Sequence, residues 1–94
     1  MEVPPVSQFQ WLSFCDGSRP KGSQFLGCAI VPGDNIVDAA FAAWALKCNP
    51  GGECVGHTIP ERLIRVTPPE YVGRLLTRTE ADALDRLWLE QIAS

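Results

Sequence analysis

No apolar run in the sequence approaches the roughly 20 residues that a membrane-spanning helix needs, so a membrane partner is not expected. Positive charge is scarce. Eight Lys and Arg stand against eleven Asp and Glu, for a net charge of −3 and a pI near 4.9, which argues against a general affinity for nucleic-acid backbone or anionic lipid. The opening MEVPPVSQFQ lacks the basic and apolar regions of a signal peptide, so a cytoplasmic location is expected. Four cysteines in an unexported chain are expected to be reduced. There is no internal repeat and no biased tract that would suggest disorder. What remains, 46% hydrophobic and 20% charged over 94 residues, is the composition of one folded domain. Residues 1–8, with Val3-Pro4-Pro5-Val6, are expected to be a flexible lead-in to that domain at 9–94.

The organising stretch is GDNIVDAAFAAWALKCNPGGECVGHTI, from Gly33 to Ile59. Asp34 or Asn35 can cap a helix start, and Val37, Ala40, Phe41, Trp44 and Cys48 recur at helical steps, which predicts a helix over 35–48 with that face inward. Ala39, Ala40, Ala42 and Ala43 favour helix and keep it thin enough to lie close on a sheet. Asn49-Pro50-Gly51-Gly52 supplies the stop, and residues 54–59 then read as a strand.

FQWLSFC (9–15) and FLGCAIV (25–31) read as two strands joined through the loop DGSRPKGS, most simply as a hairpin. A symmetric pairing would place Cys15 near Gln24 and Cys28 near Trp11. The two thiols would then lie on the order of 13 Å apart along the ladder, too far for a disulfide. Both faces of the hairpin are apolar, so the sheet needs two covers. A right-handed crossover makes the third strand parallel to the second, and hence antiparallel to the first if the first is central. The expected fold is therefore α+β: a three-stranded, mostly antiparallel sheet, element order β-β-α-β-α and strand order 2-1-3, packed against one or two helices. Thr67-Pro68-Pro69-Glu70 and Thr77-Arg78-Thr79-Glu80 are capping boxes. The second opens a helix at about 78–92 with Ala81, Leu84, Trp88 and Ile92 on one face. That helix covers the second sheet face or meets another chain. In the latter case Trp88, Leu84 and Ile92 form an interface.

Candidate chemistry is sparse. With one histidine in the chain, soft ligands cluster only at Cys48, Cys54 and His57. Five residues separate the two cysteines, unlike the paired spacing of zinc sites, and the odd step from Cys54 to His57 puts them on opposite strand faces. The same alternation opposes a Cys-His nucleophile, although an imidazole near Cys54 would lower its pKa. Ser18, Arg19, Lys21 and Ser23 in DGSRPKGS could hold an anion or nucleotide, but the loop has neither Walker-A nor dinucleotide spacing, and solvated turns share its composition. Arg62, Arg65, Arg74 and Arg78 precede an acidic helix, a split that suits either a partner surface or ordinary local ion pairs.

No catalytic constellation or cofactor motif emerges, and an enzyme is not expected. The leading expectation is a small cytoplasmic interaction module that self-associates as a homo-oligomer, most simply a dimer, or meets another protein. A small anionic-ligand binder using Arg19 and Lys21 is the alternative, and a cysteine-based enzyme or metal protein ranks third.

Overall fold

A computed structural model describes residues 8–93, so the expected lead-in lies outside the described residues apart from Gln8. Three strands, β1 (Phe9–Cys15), β2 (Phe25–Pro32) and β3 (Glu53–Ile59), form one sheet in the order β2-β1-β3 with both pairings antiparallel. The helices are α1 (Ile36–Ala45), α2 (Glu61–Arg65) and α3 (Arg78–Ala93), with a 3-10 turn at Pro69–Tyr71. The expected α+β architecture, strand order and terminal helix are thus present, and α2 is an addition. It is about one turn long, too short to reveal a helical period. Its Leu63 is buried and its ends are linked by an Arg65–Glu61 pair at 2.9 Å.

Alternation of side chains along β1 builds two cores. Leu12 and Phe14 point to one face, where Ala29, Val31, Ala39, Ala43 and Cys48 close over them. Trp11 points to the other, among Cys28, Ile30, Ile59, Leu63, Leu76, Ala81, Leu84 and Trp88. The sheet's second cover is therefore α3 and the chain leading into it. Trp88 and Leu84 are buried within this chain, and only Ile92 of that trio is exposed. The Trp88 ring meets Trp11 edge-on at 5.4 Å between centroids.

The β1–β2 register differs from the symmetric one by two residues: Ser13 pairs with Cys28, and a bulge at Leu26 places Cys15 against Phe25. Cys15 and Cys28 are consequently diagonal neighbours on one face, nearer than expected, and all four cysteines are free. Beside the bulge, Gly27 has φ +138, and a side chain there would collide with Leu75. That contact lets the 72–76 segment lie along the outer edge of β2, where Cys28 and Leu76 exchange backbone hydrogen bonds at 3.2 and 2.6 Å. The outer edge of β3 has no backbone partner among the described residues.

Polar groups inside the cores are matched. Gln10, only 1% exposed, donates through Nε2 to the Gly33 carbonyl (3.0 Å) and the Thr58 hydroxyl (2.9 Å), tying the entry of α1 to β3 across the central strand. The Thr67 hydroxyl donates to the Leu63 carbonyl (2.7 Å) and accepts the Trp88 indole N–H (3.0 Å). Thr67→Val keeps the shape but strands both partners in an apolar core. It should destabilise the fold by about 1–3 kcal/mol in a urea titration, and an unchanged midpoint would show that the relay contributes nothing.

Candidate interaction surface

The sequence of α1, IVDAAFAAWA, has one charged residue and no polar face. A helix apolar all round is normally covered all round. Its start is fixed by Asn35, whose side chain accepts from the Asp38 N–H (2.9 Å). Its end comes earlier than residue 48. Lys47 takes the left-handed conformation (φ 61), its N–H donates to the Trp44 carbonyl (3.1 Å), and the Cys48 N–H donates to the Ala43 carbonyl (2.9 Å). This is a Schellman closure with lysine where glycine is usual.

That reversal corrects the expected helix face. Cys48 is buried as expected, but it reaches the core after the helix has ended, so it says nothing about the helix's phase. The buried residues within α1 are Ala39 and Ala43, and their small side chains let the backbone settle on β1 and β2. The large residues face out: Val37 is 64% exposed, Phe41 69% and Trp44 58%, with Leu46 also exposed just beyond. Asp34 and Asp38 mark one end of the stripe and Lys47 the other.

The other candidate residues do not assemble into sites. Cys54 packs with the α1-side core, whereas His57 pairs with Trp11 on the opposite face and is exposed. Among the described residues no three His, Cys, Asp or Glu side chains stand together as a metal would need. Burial pushes the Cys28, Cys48 and Cys54 thiols up, the reverse of an activated nucleophile. In the 16–23 loop, the Ser18 N–H and hydroxyl donate to Asp16 (3.0 and 2.6 Å), Arg19 stands 4.0 Å from the same carboxylate, and the Ser23 hydroxyl donates to the Pro20 carbonyl (2.9 Å). These groups shape the turn itself, and Lys21 is exposed. An open recess of about 260 Å³ next to the loop is lined by Cys15, Gly22, Gln24, Phe25 and Arg78, and by none of the four candidate ligand residues.

No family model, curated protein or solved structure matches the chain. Its own geometry is the basis for any reading of function.

Of Arg62, Arg65, Arg74 and Arg78, the last three are engaged locally. The Arg78 guanidinium lies 4.6 Å from the Phe25 ring centre, and Arg74 lies over Tyr71 while forking onto Glu80. Glu80 also receives the Thr77 N–H (3.1 Å) and, with Thr77, forms the capping box of α3. The Arg74 fork, then the Thr77 N–H, hold the Glu80 carboxyl well below the usual carboxylate range, at about 2. With a folded pKa below the ordinary 4.5, ionised Glu80 contributes its full stabilisation above pH about 4.5 and loses it as pH falls toward about 2. Arg74→Ala should bring the Glu80 titration, followed by NMR of its carboxyl carbon, back up toward 4.5. An unmoved midpoint would mean that the Arg74 fork is not what depresses it.

Proposed function

We propose that this chain is a small, non-catalytic protein-interaction module of the cytoplasm, docking through the outer face of α1. The observation that carries this reading is the unbroken stripe of Val37, Phe41 and Trp44, exposed on a helix already anchored by its alanines. Contiguous apolar surface with a charged rim is the mark of an interaction site, because leaving it wet forgoes roughly 25 cal/mol per Å². Large aromatics are the residues that most often anchor such sites. The non-catalytic part is supported by the Cys28, Cys48 and Cys54 thiols being pushed away from reactivity and by the strongly shifted Glu80 carboxylate belonging to a helix cap. Four free cysteines suit a reducing compartment.

The test is a photoreactive benzoylphenylalanine placed at Phe41, or at exposed Leu89 of α3 as control, in cells producing the full chain. An adduct of one defined mass at position 41, absent at position 89 and lost when Trp44→Glu is added, is the expected result. Equal scatter of adducts at both positions, or none at position 41, would overturn the docking surface.

A further inference from the structure

We propose that the occupant of the α1 face is a second copy of the same chain, packed through α1 in antiparallel, two-fold fashion; this rests on the docking surface above. The stripe and its rim are self-complementary about their midpoint. Within the helix, Val37 and Ala40 on one side are spaced as Trp44 and Phe41 are on the other. A two-fold axis crossing the helix between Ala40 and Phe41 therefore sets Val37 level with Trp44 of the other copy and brings the two Phe41 rings together beside the axis. Asp34 and Lys47 stand just outside the two ends of α1, so the same arrangement brings the acidic end of one copy toward the basic end of the other. The acidic start of each helix then neighbours the basic end of its mate, and the two helix dipoles oppose.

The size of the face and the conformation of Lys47 bear on the occupant. With Phe and Trp side chains contributing roughly 150–250 Å² each when fully exposed, the partly exposed stripe presents on the order of 400 Å². A pair would bury about 800 Å² before any rim is counted, below the roughly 1,200 Å² of standard interfaces and in the range of a weak, reversible dimer. Lys47 is also the only non-glycine residue at positive φ among the described residues. Glycine would close α1 there without strain, so the lysine side chain stands there at a conformational cost. A charge partner on the facing copy gives it a role.

Light scattering coupled to gel filtration, run on the full chain from micromolar to near-millimolar concentration, should show a dimer that dissociates on dilution. Phe41→Glu, at an exposed position, should leave the far-UV circular dichroism unchanged and remain monomeric throughout. Lys47→Glu should weaken association several-fold, and adding Asp34→Lys should restore it. For orientation, Ala40→Cys, beside the axis, should cross-link between copies under mild oxidation beyond the background of the wild-type cysteines. Val37→Cys should not, because its two copies would stand about 10 Å apart along the helices. Val37→Cys linking as readily as Ala40→Cys would overturn the antiparallel arrangement, and a dimer indifferent to Phe41→Glu would overturn the interface. A chain monomeric at every concentration overturns the second copy. If position 41 then gives a photoadduct of another single mass, the docking surface stands with a different partner; with no adduct, both readings fall. A monomer whose Trp44 becomes quenchable by acrylamide only after removal of residues 1–7 assigns the face to that segment and likewise overturns the dimer.

Discussion

The close approach of α1 to the sheet is the constraint on which the surface of this domain depends. Only small side chains fit between a helix backbone and the tightly filled face made by Leu12, Phe14, Ala29 and Val31, so Ala39 and Ala43 must turn inward. Once they do, helical geometry leaves Val37, Phe41 and Trp44 no place but outside. Gly33 serves the same end, since a side chain there would meet the Ala39 backbone at 2.8 Å. The exposed aromatic stripe is thus a direct result of how the core is closed.

The opposite face is solved differently. There the cover is pieced together from α2, the 3-10 turn, the edge segment and α3, and long side chains fill the space that alanines deny on the α1 side. Each core contains or borders a polar anchor. Gln10 fixes the start of α1 to β3, and Thr67 fixes the α2 turn to Trp88. Among the described residues no buried side-chain nitrogen or oxygen lacks a partner. Matched polar groups of this kind select one packing from the several that apolar contacts alone would tolerate.

Much of the architecture was legible before any coordinates. Strand identities follow from short apolar runs bounded by Gly, Pro and Ser. The order β2-β1-β3 follows from crossover handedness together with two apolar hairpin faces. The capping box at Thr77 and Glu80 announced α3 to the residue. What sequence alone misjudged was phase. Including Cys48 in the α1 pattern favoured the Val37–Trp44 face as the inner one, because a bulky apolar stripe is usually core. The left-handed turn at Lys47 that separates Cys48 from the helix leaves no mark in a sequence, since glycine is the residue that normally signals it. The bulge at Leu26 shifted the hairpin register in the same silent way. Whether Trp88 lay in the core or at an interface was left open because the segment that completes its surroundings, α2, is too short to show a period.

The strand order also governs how the chain can assemble in time. β1 is central yet comes first among the strands, and its second neighbour is not complete until Ile59, nearly fifty residues later. The far edge of β2 stays open longer still, until Leu76 has been made. On a ribosome the early hairpin would therefore emerge with two apolar faces and two bare edges, and no local element to shelter them except α1. Such an intermediate relies on non-local closure, which is slow compared with helix formation. A helix that covers one face at once, using residues that follow directly on β2, is well placed to keep that face of the nascent hairpin from adhering to other apolar surface.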